Sequence, residues 1–279
     1  MRVFFYTSFA LVAFAFNSIL CRMALRPGEA DAAGFTVVRL VSGAVTLAVL
    51  AYVFGKTRTV VQTGHWASGF FLFAYAICFS FAYLGLSAGM GALILFGSVQ
   101  LAMIAAALAK GERPGVMEWL GLAVAAGGLV YLMLPGLASP PLLSSALMAA
   151  AGVSWGFYTI RGRGSSNPLA ETAGNFARAV PMVILIAIPY LYQIHMTNRG
   201  LALAALSGAV ASGIGYTVWY SALRHLTSTR AAVLQLLVPV ITATGGILFL
   251  AETATTRLYV AGAMILGGIG MTILGRGKG

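Results

Sequence analysis

Two stretches of the chain, Gly91–Leu134 (GALILFGSVQLAMIAAALAKGERPGVMEWLGLAVAAGGLVYLML) and Ala231–Leu274 (AAVLQLLVPVITATGGILFLAETATTRLYVAGAMILGGIGMTIL), carry one pattern twice. Laid on each other without gaps at an offset of 140 residues, Ala92, Leu108, Glu112, Ala123, Gly127, Gly128 and Leu134 meet Ala232, Leu248, Glu252, Ala263, Gly267, Gly268 and Leu274. Seven identities in 44 positions are few, but their placement is specific. The acid falls at the same break between two apolar runs, and the Gly-Gly pair falls in the same later run.

Outward from these stretches, apolar runs of about 20 residues recur between polar or Pro/Gly breaks, the length a helix needs to cross roughly 30 Å of hydrocarbon. The spans read 3–24, 33–54, 66–87, 90–109, 116–134, 141–160, 169–194, 200–223, 229–250 and 257–274. Composition agrees: 60% of the 279 residues are hydrophobic and 8% are charged, against about 25% charged in a soluble domain. So few charges cannot cover a water-facing surface. The expected fold is an all-α integral membrane protein of ten transmembrane helices. The first run follows Arg2 as a signal peptide would, but it is too long and continuous for a cleaved segment and reads as a retained first helix.

An offset of 139 residues also sets Arg39 on Arg178 and Phe16 on Trp155, which extends the repeat to residues 1–136 and 137–279. Each half holds five spans. An odd number turns the second half over, giving two inverted repeats about an axis in the membrane plane, an architecture shared by many secondary transporters.

Lysines and arginines set the orientation. With both termini cytoplasmic, 11 of the 17 basic residues lie inside (Arg2, Lys56, Arg58, Lys110, Arg113, Arg161, Arg163, Arg224, Arg230, Arg276, Lys278) and four outside (Arg22, Arg26, Arg199, Arg257), leaving Arg39 and Arg178 within spans. This is a positive-inside bias. The net charge of +11 therefore belongs to short membrane loops and not to a nucleic-acid surface. Cys21 and Cys78 fall inside spans without metal-ligand spacing and read as buried thiols. The glycines stand in apolar helices, with no strand-loop-helix setting for a nucleotide. No cofactor or metal is expected.

The aromatic-small pairs Phe16-Asn17 and Trp155-Gly156, the arginines Arg39 and Arg178, and the acids Glu112 and Glu252, carried by LAKGERPGVMEWLGLAVAAGGLVYL and LRHLTSTRAAVLQLLVPVITATGGILFLAET, resemble the two repeats of EamA-type members of the drug/metabolite transporter superfamily. The second half fits better, because Pro239 has Val99 as its counterpart, with Gly97 close by as an alternative bending point. The resemblance covers nearly the whole chain. It implies ten helices, a central cavity between the halves, and export or exchange. The aromatic content is similar to that of bacterial exporters of aromatic amino acids and related amphiphiles, which places the chain in the inner membrane. A monomer is expected, with a homodimer as the alternative.

Candidate substrate contacts are of two kinds. Aromatic residues cluster in the third span (FFLFAYAICFSFAYLGL) and recur at Trp155, Tyr158, Tyr216 and Trp219. They serve either as interfacial belts or as rings lining a cavity for a flat or apolar solute. Phe79 and Tyr83 share a helix face at i, i+4. Polar residues in mid-span must face protein, water or substrate, and Asn17, Ser80, Gln100, Ser154 and Gln235 qualify, with interhelical hydrogen bonding as the competing role. Arg39 and Arg178, as symmetry mates, read as a pair of structural anchors for helix ends or carbonyls, with a substrate carboxylate as the other possibility. Gly97, Pro239, Gly245 and Gly246 are candidate hinges. Glu112 and Glu252, at span ends, are candidate proton carriers or ion-paired acids. No acid lies in mid-membrane, so exchange or facilitated diffusion is expected over a central proton relay.

A membrane enzyme would need a nucleophile or metal set, whereas His65, His195 and His225 lie at different span ends. A channel would need a continuous polar stripe. An importer or permease for another small metabolite, such as a nucleoside, purine, sugar phosphate or polyamine-like solute, is the nearer alternative to an exporter.

Overall fold

The computed structural model describes residues 2–56, 60, 62–109, 115–134, 139–190, 192, 194–226, 231, 234–253 and 255–276. Ten helices of 14 residues or more occur among them: α1 (Arg2–Ala24), α2 (Ala32–Val53), α3 (Trp66–Ala82), α4 (Ala88–Ala109), α5 (Val116–Met133), α6 (Leu142–Gly162), α7 (Pro168–Ala187), α8 (Asn198–Leu223), α9 (Leu237–Leu250) and α10 (Thr256–Arg276). The one strand-like pairing among the described residues is a bridge between Ala30 and Met196.

Among the described residues, seven of these helices are long and apolar enough to cross a membrane, and α3, α5 and α9 are shorter apolar helices. The spans expected at 66–87 and 169–194 both end early. Residues 83–85 turn out of α3, with the Leu84 and Gly85 amides bonding back to the Phe81 and Ala82 carbonyls. Pro189, which has no amide proton to continue a helix, leaves α7 tapering into one 3-10 turn at Ile188–Tyr190. The beginning of the span expected at 229–250 falls partly outside the described residues.

Packing follows the repeat. Helix α1 lies against α8 and α9, and exchange of the halves turns these contacts into α6 against α3 and α4, which are also formed. The α2–α8 contact has its counterpart in α7–α3, and the pairs α2–α7, α4–α9 and α5–α10 map onto themselves. The fold is thus a ten-helix membrane bundle of two inverted five-helix repeats. The join drawn at 136/137 lies outside the described residues.

Within lipid the hydrophobic effect does not drive one helix against another, so close approach depends on small residues. Helices α5 and α10 meet at Gly121 and Gly268, where a Cβ on Gly121 would stand 2.5 Å from the Gly268 carbonyl oxygen and one on Gly268 2.5 Å from the Ala125 nitrogen. Gly267, the other half of the repeated Gly-Gly pair, faces outward, and a Cβ placed there would meet nothing within 4 Å. Gly268→Val should therefore destabilise the protein by about 1–3 kcal/mol through overpacking, while Gly267→Val should be neutral. Thermal unfolding of the two variants in detergent checks this, and equal melting temperatures would refute the crossing as described.

Candidate functional site

The two halves meet at the centre of the bundle around a small enclosed cavity lined by Phe14 and Asn17 of α1, Tyr75 and Phe79 of α3, Leu95 and Phe96 of α4, Trp155 of α6 and Tyr216 of α8. Its free volume is about 10 Å³, roughly what one water requires. Any larger solute needs the rings to separate.

The rings form one cluster. Trp155 packs 4.5 Å from Tyr216, 5.1 Å from Tyr75, 5.4 Å from Tyr158 and 5.7 Å from Phe14, centroid to centroid, while Trp219 packs 5.7 Å from Phe14. Phe79 bridges Tyr75 (5.3 Å) and Tyr83 (4.8 Å). These are the tilted and edge-to-face arrangements that aromatic quadrupoles favour.

A polar network runs behind the rings. Ser207 donates to Asn17 Oδ1 (2.5 Å), and Asn17 Nδ2 donates to the Tyr75 hydroxyl (3.1 Å). Arg39, only 1% exposed, donates from Nη2 to the hydroxyls of Tyr75 (3.1 Å) and Tyr216 (2.9 Å) and from Nε to Ser212 Oγ (3.1 Å). Its guanidinium carbon also lies 5.1 Å and 4.8 Å from the ring centroids of Tyr75 and Phe79, within cation–π range. Ser207 and Ser212 reach this network from a π-helical stretch, Ser207–Ile214, inside α8. Such widened turns recur at functional sites. Gly208 within it has no room for a side chain against the Arg39 carbonyl and the Ser42 hydroxyl.

Of the residues singled out in the sequence, Asn17, Phe79, Trp155 and Tyr216 line the cavity, and Tyr158, Trp219 and Tyr83 belong to the surrounding ring cluster. Tyr83 is fully buried, which rules out a place in the interfacial belt. The Ser80 hydroxyl is satisfied within its own helix by the Ala76 carbonyl (2.9 Å). Gln100 and Gln235 are buried but do not border the cavity. Phe14, Tyr75, Ser207 and Ser212 complete the site without having stood out in the sequence. Tyr75 carries a readable signal, since it extends the Phe79-Tyr83 stripe by one more turn.

The two repeat arginines have different surroundings. Arg39 points into the centre, while Arg178 is half-buried, donates to the Gly174 carbonyl of its own helix (2.9 Å) and lies 6.0 Å from the Trp66 ring. The hinge candidates are packing positions in this state: Gly97 faces Leu129 and Ile265, Gly245 faces Ile19, and Gly246 faces Glu252. Pro239 is buried in the first turn of α9.

Glu252 closes one end of the bundle. Both its carboxylate oxygens accept from the Ala88 amide at the start of α4 (3.0 and 2.9 Å), and Oε1 pairs with Arg22 Nε (3.4 Å). Arg22 Nη1 donates to the Tyr83 carbonyl (2.7 Å). Ala251 takes a left-handed conformation (φ 53°) just before Glu252, a local strain of roughly 1 kcal/mol or more that turns the acid back over the bundle. At the same end, Asp31 accepts from the His195 amide (2.9 Å) and Glu29 from the Thr197 hydroxyl (2.5 Å), tying the α1–α2 and α7–α8 connections together. Glu112, the repeat counterpart of Glu252, lies outside the described residues.

Two larger hollows, of about 290 and 410 Å³, open sideways on the flank of the bundle. The first, among α4, α9 and α10, is mostly apolar in lining and the second, between α1 and α8, almost wholly so, and they include exposed side chains such as Ile247, Tyr259, Phe9 and Phe16. Both open on the outer flank of the bundle, apart from the polar network of the central site.

A ten-helix bundle of inverted repeats around a ring-lined central cavity is an architecture that membrane transporters use. The model of the EamA-like transporter family matches residues 142–274, and the chain belongs to that family. It is 46% identical over 275 residues to an uncharacterized protein of Pseudomonas aeruginosa, covering 99% of this chain and 96% of that one. It is 31% identical over 179 residues to the threonine/homoserine exporter RhtA of Escherichia coli, covering 61% of this chain and 59% of RhtA. A probable amino-acid metabolite efflux pump of Escherichia coli is 26% identical over 218 residues, 72% of each chain. A solved crystal structure shares the fold with a TM-score of 0.67 over 97% of this chain and 98% of its own, at 18% identity.

The ion pair at Glu252 makes a prediction about access. Cys21 is fully buried, next in sequence to Arg22. In a Cys78→Ser background, Cys21 should resist a small hydrophilic thiol reagent, and Glu252→Gln should raise its labelling rate about tenfold or more, the order expected from losing one charge-assisted pair. Unchanged labelling would show that this end stays shut without the pair.

Proposed function

We propose that this protein exports amino acids, aromatic ones or related amphiphilic metabolites, through the central cavity by alternating access between its inverted halves. The observation that carries this reading is the ring-lined cavity itself: Trp155, Tyr75, Tyr216, Phe14 and Phe79, drawn from both halves, enclose it on several sides, and such walls suit a flat apolar side chain. The names of the relatives RhtA and the efflux pump favour the amino-acid class and the outward direction. Under the positive-inside orientation, both termini are cytoplasmic in a bacterial inner membrane and the end held by Glu252 and Arg22 faces outward. The outward path is then closed in this conformation, and a loaded cavity forms only as the halves separate. The protein works as a monomer by exchange or facilitated diffusion.

Counterflow into proteoliposomes preloaded with unlabelled solute tests this, using labelled tryptophan, phenylalanine, tyrosine, threonine and homoserine, with and without a pH gradient. Aromatic solutes should exchange faster than in empty vesicles, and Trp155→Ala should slow them about tenfold, the order expected from losing a buried aromatic contact. Aromatic rates equal to those of empty vesicles would sink the substrate assignment, and accumulation driven by the pH gradient would replace exchange with proton coupling.

A further inference from the structure

We infer that Arg39 is the seat of the substrate's carboxylate, which makes the transported class α-amino carboxylic acids and not their neutral or purely cationic analogues; this rests on the proposed transport through the central cavity. The reasoning begins with donors and acceptors. A guanidinium carries five N–H donors and no acceptor. Three of them are used by Ser212, Tyr75 and Tyr216. Nη1 is buried without a hydrogen-bond partner, and no carboxylate among the described residues forms an ion pair with this cation.

The surroundings deepen the imbalance. The Tyr75 oxygen takes donors from Asn17, Arg39 and Tyr216 at once (3.1, 3.1 and 3.4 Å), and its two lone pairs cannot serve all three fully. The centre of the bundle is rich in donors and poor in acceptors. Among the described residues it also holds one positive charge faced by hydroxyls, ring faces and the Cys21 thiol, with no carboxylate to balance it. A carboxylate brings two oxygens, about four acceptor positions and one negative charge. One oxygen can take the unpaired Nη1 and the other the place on Nη2 now held by the Tyr216 hydroxyl; Tyr75 and Tyr216 line the cavity and Arg39 lies directly behind them.

This arrangement also links loading to movement. Arg39 on α2 and Tyr75 on α3 belong to the first half, Ser212 and Tyr216 on α8 to the second, so the guanidinium ties the halves together. A carboxylate that takes Arg39 releases Tyr216 from it and loosens that tie. Arg178, the repeat mate, bonds to its own helix, so the central position of Arg39 is not a general requirement of the fold.

The test compares acid and amide pairs on purified protein in detergent, by ligand-induced thermal shift: tryptophan with tryptophanamide, phenylalanine with phenylalaninamide, threonine with threoninamide. Wild type should bind each acid at least about tenfold more tightly than its amide, the order of one charge-assisted pair. Arg39→Gln should erase that difference by weakening the acid alone, and Arg39→Lys should restore part of it. Equal binding of acid and amide by wild type overturns the inference without any variant, so it stays testable even where Arg39→Gln does not fold. Retained discrimination in folded Arg39→Gln also overturns it. Discrimination confined to threonine would leave Arg39 in place and remove the aromatic reading, and no binding of any acid in the panel would overturn both.

Discussion

A guanidinium inside a membrane bundle must be satisfied by what the protein places around it, because hydrocarbon offers neither hydrogen bonds nor counter-charge. Arg39 imposes that condition on four helices at once. Its bonds reach Tyr75 on α3 and Tyr216 and Ser212 on α8, and the Tyr75 hydroxyl carries the network on to Asn17 on α1. Each of these side chains is costly to bury alone. Together they hold α1, α2, α3 and α8 around the cavity, and the rings of Tyr75 and Phe79 add their faces to the cation.

That network requires the backbones to come close. The π-helical stretch of α8 supplies both serines, Ser207 and Ser212, and Gly208 in the same stretch lets α8 lie directly on the Arg39 turn of α2. A regular α-helix would place residues 207 and 212 about 1.4 turns apart on different faces; the wider winding brings them both toward the first half. Packing and polar satisfaction are therefore one problem here, solved by a Gly/Ser-rich segment whose composition otherwise reads only as small-residue packing.

Ten helices, their order and their inverted pairing were legible from hydropathy and from the 140-residue offset, because apolar length and small-residue periodicity are local properties of the chain. Trp155, Phe79, Tyr216 and Asn17 were legible as candidates for the same reason: rings and amides in mid-span have few cheap alternatives. Ser207, Ser212 and Phe14 were not, since a hydroxyl or a phenyl in a span is ordinary until its neighbours are known. Arg39 and Arg178 align in the repeat yet sit in different surroundings, because repeat symmetry sets the path of the backbone and not the neighbours of each side chain. Helix ends were also misjudged where hydropathy continued past the helix, at Leu84–Leu86 and around Pro189, because apolarity sets what can be buried while backbone hydrogen bonds set where a helix stops.

The differences between the halves bear on how a symmetric scaffold makes one site. A symmetric pair of central arginines would place two like charges in one small cavity, which low dielectric makes severely unfavourable. Burying one at the centre while its mate bonds to the Gly174 carbonyl of its own helix beside Trp66 avoids that repulsion and leaves a single cationic centre. The ring cluster follows the same logic: Trp155 and its repeat mate Phe16 part company, with Trp155 at the cavity and Phe16 exposed on the flank beside Phe249. Repeat symmetry thus builds the bundle and its inverted contacts, while departures from symmetry at Arg39/Arg178 and Phe16/Trp155 give the cavity its aromatic wall and the single buried cation behind it.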